Sequence, residues 1–276
     1  MNFKIEREDM VDKNVIQSIQ TSANFIYKAL SYLLRLLFGR YKKFKSILDK
    51  NEELEKRLVY GLIFAFTFLF LLAYGGIIYM LAIFALLCIM SFELIRMASR
   101  IEKKNNQMFV LLRRWGLLYI AVCCMSLVLI RESSQGFKVS IWMFITIWSV
   151  DTFAYIFGKK FGKLKLAPEI SPGKTYEGAI LGTIAGLFVS ITIYKAFATT
   201  NANSFSVISF SIFSIIAIIL AQLSDLSESY IKRQCGVKDS GNILPGHGGL
   251  MDRFDSFLLV APFVFLIVWL NGGILF

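Results

Sequence analysis

Residues 59–74, VYGLIFAFTFLFLLAY, lead through Gly75-Gly76 into residues 77–95, IIYMLAIFALLCIMSFELI. Those 37 positions carry one charged side chain, Glu93. A run that long exceeds the roughly 20 apolar residues that one bilayer-crossing helix needs. The glycine pair divides it into two spans joined by a tight hairpin. Further apolar blocks lie at residues 109–130, 139–157, 179–197, 205–223 and 257–276. The chain therefore reads as an all-α, polytopic integral membrane bundle of about seven transmembrane helices. Composition agrees: 56% of residues are hydrophobic and 18% charged, where a soluble domain carries about a quarter charged. A secreted disulfide scaffold, a disordered chain and an ordinary soluble domain are excluded. Cys88, Cys123, Cys124 and Cys235 have no metal or disulfide spacing.

Basic residues set the orientation. Twelve Lys/Arg precede the first span, and the connections after spans two, four and six carry most of the others. Only Arg131, Lys138 and Lys195 fall on the opposite side. The N-terminus is thus expected in the cytoplasm and the C-terminus outside, in a bacterial-type inner (plasma) membrane. The formal charge of +11 reflects this asymmetry and attraction to anionic headgroups, so a nucleic-acid partner is not expected.

Residues 1–53 read as a separate basic extension. Its first 20 residues are polar and mixed in charge, unlike a cleavable signal peptide. Ile19, Ile26, Leu30, Leu33 and Leu37 recur at helical spacing among Lys28, Arg35 and Arg40. This pattern suits an amphipathic helix lying in the membrane surface. The alternative, a short extra span over residues 23–38, would bury Lys28 and Arg35. Residues 54–276 form the membrane-embedded domain, and its cytoplasmic loops 158–178 and 224–256 hold the chemistry.

The later loop carries Asp225, Glu228, Asp239, Asp252 and Asp255 with Lys232, Arg233, Lys238 and Arg253. It also holds the only histidine, in Pro245-Gly246-His247-Gly248-Gly249. Both signs of charge around a glycine-rich turn suit a phosphate ester bound with a divalent cation. Carboxylates are ligands that Mg²⁺ accepts, cations neutralise phosphate oxygens, and glycines admit backbone N–H groups. Asp252 and Asp255, three apart, share one helical face. They read either as metal ligands, with Asp225 joining across the loop, or as acids favoured at a helix start. His247 reads either as a general base or as a residue holding the turn. In the other loop, Ser171-Pro172-Gly173-Lys174-Thr175 is expected to present a lysine and two hydroxyls from a turn before a helix. Otherwise Lys159, Lys160, Lys163 and Lys174 are only a positive-inside loop. Asp151 lies inside span four, where a carboxylate costs roughly 2.5–3.5 kcal/mol on insertion scales, which makes it a functional candidate. Glu93, near a span end, reads as a residue reaching the interface.

Ser229, Lys232, Arg233, Lys238, Asp239, Gly241, Leu244, Pro245, His247, Gly248, Gly249, Asp252, Arg253 and Asp255 together resemble the C-terminal motif of the phosphatidate cytidylyltransferases. Asp151-Thr152-Phe153-Ala154-Tyr155 and residues 171–178 resemble that family's middle motifs. The resemblance covers about residues 55–276. It implies a membrane enzyme joining CTP and phosphatidate to give CDP-diacylglycerol and pyrophosphate, with Mg²⁺ and a monovalent cation such as K⁺. It also implies a helical bundle with a cytoplasm-facing cavity, and a homodimer. On this resemblance the catalytic set is Asp225, Lys232, Arg233, Lys238, Asp239, His247, Asp252, Arg253 and Asp255, with Asp225, Asp252 and Asp255 at the metal. Substrate contacts fall to Asp151, Lys159, Ser171, Lys174, Glu177, Gly248 and Gly249. A CTP-dependent polyprenol-type lipid kinase is the competing enzyme. A transporter using Asp151 is a third reading, but it lacks matched half-sequences. The Asp-Gly-x-x-Ala-Arg run of CDP-alcohol phosphotransferases does not occur in the chain.

Overall fold

A computed structural model of the 276-residue chain describes residues 52–101, 106–198, 205–243, 248–273 and 275–276. The elements are α1 (Glu52–Tyr74), α2 (Gly76–Ala98), α3 (Asn106–Glu132), α4 (Gly136–Phe161), β1 (Lys165–Ala167), β2 (Ser171–Thr175), α5 (Tyr176–Phe197), α6 (Val207–Gln234), α7 (Met251–Phe254) and α8 (Phe257–Leu270). The described residues divide into two compact units, one of 52–68 with 241–243 and 248–249, the other of 69–240 with 250–276. In the first, Phe64 and Phe68 stack along α1 with ring centroids 6.3 Å apart. The second holds the remaining helices and the chemistry. The surface helix expected within residues 1–53 lies outside the described residues, apart from Glu52 and Glu53, which open α1.

Among the described residues, five helices are long and apolar enough to cross a membrane, and Gly61–Tyr74 and Phe257–Leu270 are shorter apolar helices. The chain is a polytopic membrane helix bundle. Gly75 and Gly76 interrupt the first long apolar run with φ of 68° and 53°, backbone that only glycine adopts cheaply. Two expected boundaries differ. The sixth span does not stop at Leu223: α6 runs on to Gln234, so the opening part of the expected loop 224–256 is helix. The last span ends at Leu270, after which Gly272 and Gly273 take positive φ. The tail then returns to the bundle. Gln135 accepts from the Leu275 and Phe276 N–H groups at 2.8 and 2.7 Å and donates to the Phe276 carbonyl.

The most extensive pairing joins α4 and α5. In an apolar solvent, helices associate by close approach and by polar contacts rather than by hydrophobic exclusion. Gly178, Gly182 and Gly186, four apart, form the buried stripe of α5. A Cβ at Gly182 would lie 2.8 Å from the Ala154 Cβ and 3.0 Å from its backbone nitrogen. Hydrogen bonds then join three helices: Trp142 Nε1 donates to Ser190 Oγ at 2.7 Å, and Ser190 Oγ to Ser214 Oγ at 2.8 Å. Of the span-six serines, Ser214 makes this interhelical link, Ser206 caps α6, and Ser211 bonds its own helix. Phe210 and Phe213 pack on Trp142 at centroid distances of 5.5 and 5.0 Å.

The α4–α5 contact aligns Asp151 and Ala154 with the start of α5, so it positions the site as well as the fold. Gly182→Val should force these helices apart, at a cost of about 1–3 kcal/mol, the usual range for overpacking. Thermal unfolding of the purified protein in detergent should show a lower midpoint. An unchanged midpoint would remove the close-approach argument.

Candidate active site

On α6 the apolar pattern gives way to Asp225, Glu228, Ser229 and Lys232, spaced i, i+3, i+4 and i+7, one helical stripe. Glu228, Ser229 and Lys232 are buried, so the charges of Glu228 and Lys232 need partners within the protein. Lys232 Nζ supplies them, at 2.5 Å from Glu228 Oε2 and 2.8 Å from Asp252 Oδ1. Asp252, in α7, also accepts from the Ser240 backbone N–H at 2.9 Å through Oδ2. One lysine thus ties α6 to the segment before the last helix.

The second half of the site comes from residues 162–175. Ser171–Thr175 were expected to form a turn, but they are the second strand of an antiparallel hairpin, with Lys165 opposite Thr175 and Ala167 opposite Ser171. Pro172 is tolerated because the sheet has only two strands and an open edge. Thr175 caps α5, accepting from the Gly178 N–H at 3.1 Å. Arg233 fastens the hairpin to α6, donating from Nε to the Ile170 carbonyl at 3.0 Å and from Nη1 to the Val237 carbonyl at 3.1 Å. Lys174 leaves β2 toward α6, where Nζ lies 2.5 Å from Asp225 Oδ2.

Between these halves lies a cavity of about 320 Å³, lined by Asp151, Tyr155, Ser171, Lys174, Gln222 and Asp225 among others. Asp151 accepts from Ser256 Oγ at 3.4 Å, and Arg253 lies within its electrostatic range. Ser229 Oγ reaches Asp225 Oδ1 at 3.4 Å. Asp255 is near the same group, its Oδ1 accepting from the Ser256 N–H at 2.7 Å. Although it keeps some open surface, it is set deep in the protein. Burial first, and then the neighbouring carboxylates Asp225, Glu228 and Asp151, push its carboxyl well above the ordinary range, with Lys232 opposing.

Other expected site residues take different places. Lys159 is exposed at the end of α4 and is not among the cavity-lining residues. Glu177 accepts the Leu164 N–H at 3.3 Å on both oxygens, tethering the hairpin. Lys238 and Asp239 are exposed in the turn after α6. Gly248 has φ of 81°, as a glycine-dependent turn requires, and Gly249 follows it. His247 lies outside the described residues. Of the lining or pairing groups, Gln222 was not singled out in the sequence and Glu228 was counted among the loop acids without a role. Gln222 donates to Thr183 Oγ1 at 2.8 Å, and Glu228 pairs with Lys232, four residues on along α6.

Residues 102–271 match the model of the cytidylyltransferase family, a segment containing the hairpin and the charged face of α6 through α7. The chain belongs to the cytidylyltransferase family. A phosphatidate cytidylyltransferase of Bacillus subtilis (strain 168) is 32% identical over 267 residues, covering 78% of this chain and 98% of that protein. One of Rickettsia typhi is 45% identical over 152 residues, 54% of this chain and 67% of the relative. One of Staphylococcus haemolyticus is 44% identical over 157 residues, 54% and 59% respectively. Within the family segment, cation–carboxylate pairs link elements distant in sequence, namely Lys174 with Asp225 and Lys232 with Asp252.

A group whose pKa is raised on folding favours the folded state at low pH and loses that contribution as pH rises through the folded value. Asp255 is such a group: above the ordinary carboxylate range the unfolded chain ionises it freely while the folded protein disfavours that charge, so the fold is weakened there. Asp255→Asn should raise the thermal midpoint at about pH 7.5. The gain should shrink as pH falls toward about 4, the ordinary carboxylate range. Midpoints measured across that interval check the sign, and equal midpoints at every pH would contradict it.

Proposed function

We propose that the chain is a phosphatidate cytidylyltransferase, converting CTP and phosphatidate into CDP-diacylglycerol and pyrophosphate at the cytoplasmic face of the membrane. The observation that carries this reading is the Lys174–Asp225 pair at a cavity within an apolar bundle of the cytidylyltransferase family. There, cationic and carboxylate side chains stand where a lipid headgroup can meet a nucleotide.

The donor set suits Mg²⁺. Asp151, Asp225, Glu228, Asp252 and Asp255 gather with Lys174, Lys232 and Arg253, leaving negative charge in excess. Among the described residues no three such groups converge as a closed metal cage. Mg²⁺ does not need one, since it is held by one or two carboxylates with water and substrate phosphates. Asp225 and Asp252 would hold it, with Asp255 as a further ligand. When bound, it supplies positive charge to the triphosphate oxygens. A K⁺ ion beside Asp151 is a further proposal, supported only by the family resemblance.

In the reaction a phosphatidate phosphate oxygen forms the new bond to the α-phosphorus of CTP. The bond from that phosphorus to the bridging oxygen breaks, and pyrophosphate leaves with its electron pair. The protein's share is positioning and charge neutralisation. Lys174 exchanges part of its contact with Asp225 for substrate phosphate, and Arg253 adds positive charge near Asp151. Lys232 holds Asp252 in place, and Arg233 holds the hairpin. Such a mechanism has no obligatory general base, so it makes no demand on His247.

Incubation with CTP labelled in its γ-phosphate, phosphatidate and Mg²⁺ should release labelled pyrophosphate and a lipid-soluble cytidine product. Release of CDP with a labelled lipid would establish a lipid kinase instead. Asp252→Asn should lower turnover by roughly 100-fold or more at saturating Mg²⁺. Wild-type turnover in that variant would remove Asp252 from the metal site. Lys174→Ala loses a charged contact worth about 1.5–3 kcal/mol, so kcat/KM should fall about 10- to 100-fold. Unchanged kinetics for both CTP and lipid would reduce residues 158–178 to a topological loop.

A further inference from the structure

Glu93 lies in the last third of α2 and is 2% exposed, so it does not reach the interface as its sequence position had suggested. Its carboxylate turns into the protein instead. Oε1 accepts from the Leu250 backbone N–H at 2.9 Å. Oε2 accepts from the Met251 backbone N–H at 2.8 Å and from Ser240 Oγ at 3.2 Å. Ser240 and Leu250 flank the connection 241–249, so one carboxylate holds the two residues between which that connection runs. Both held ends touch Asp252. The Ser240 N–H donates to it, and Met251 is its chain neighbour. A buried carboxylate served by three donors makes charge-assisted bonds, roughly twice as strong as neutral ones, and it is costly to disturb.

We infer that Glu93 is a positioning residue for cytidylyl transfer, clamping Ser240, Leu250 and Met251 so that Asp252 is presented to the metal and nucleotide. It touches neither substrate nor reacting atoms and acts through Asp252. It also lies before the segment matched by the family, residues 102–271, so that match says nothing of it. The kinetic part of the inference rests on the activity proposed above, whereas the clamp itself does not.

The test uses the full chain in lipid nanodiscs, with Glu93→Gln as a near-isosteric variant and Ser240→Ala as a milder one. Glu93→Gln replaces one acceptor oxygen by a donor and removes the charge, so it leaves at least one N–H unpaired. Hydrogen exchange at the Leu250 and Met251 amides should quicken about tenfold or more, while exchange within α4 and α5 stays unchanged. The Mg²⁺ concentration for half-maximal rate should rise about 10- to 100-fold, as when a residue orienting a metal ligand is lost. A merely structural role would lower the amount of active protein without moving that concentration. Ser240→Ala should shift it in the same direction by less, and it keeps the test open if Glu93→Gln fails to fold. Unchanged exchange at residues 250 and 251, or an unchanged Mg²⁺ requirement in both variants, would overturn the inference. If the unsubstituted protein makes no CDP-diacylglycerol, the activity assignment fails, and the exchange result still decides whether the clamp exists.

Discussion

The ammonium of Lys232 stands between two carboxylates, 2.5 Å from Glu228 and 2.8 Å from Asp252, at a depth where little water reaches it. Taking such groups out of water costs several kcal/mol each, and the ion pair offsets this only if its geometry is held. Two successive helices, α6 and α7, are therefore fixed to each other across their connection by one side chain. The other contacts of Asp252 follow from that attachment, because the Ser240 amide can reach its carboxylate only with α7 in this place. Asp255, one turn further on, is carried to the same acidic group.

The second lysine works differently. Lys174 projects from a short hairpin that is tied to α6 by Arg233 and to the start of α5 by the Thr175 cap. Its pairing with Asp225 borders a cavity and is half-exposed rather than buried. A pair in that position can exchange partners at modest cost, since exposed ion pairs contribute little net energy. The contrast suits an enzyme, with a rigid pair holding the frame and an accessible pair meeting the ligand. The glycine stripe of α5 completes the frame by letting α4 approach closely enough for Asp151 to line the same cavity.

Much of this was legible in the residues. The apolar blocks and the Gly75-Gly76 break gave the spans, because length and hydropathy are local properties that bilayer thickness constrains directly. Asp151 stood out because charge at membrane depth is costly and so is rarely incidental, whereas Asp225, Asp252 and Lys174 stood out by their grouping with opposite charges and glycines in the loops. Glu228 and Glu93 were harder to see. The first lay five residues beyond Leu223, the boundary expected for its span, where a polar stretch reads equally well as loop or as continued helix. Glu93 sat near Arg96 at a helix end, the place from which an acid usually escapes to water. The hairpin was also missed, since Ser-Pro-Gly-Lys-Thr has turn composition and its pairing with residues 165–167 depends on register rather than propensity.

By itself, then, the order of residues determined a membrane bundle and marked the charged side chains that stand out against it. Local periodicity and the price of burying charge suffice for that. Tertiary structure alone decided which acid meets which cation, and that Glu93 faces inward to grip Ser240, Leu250 and Met251. Such pairings join positions up to 158 residues apart. They depend on helix rotation and on where α6 ends, which no short window of sequence specifies.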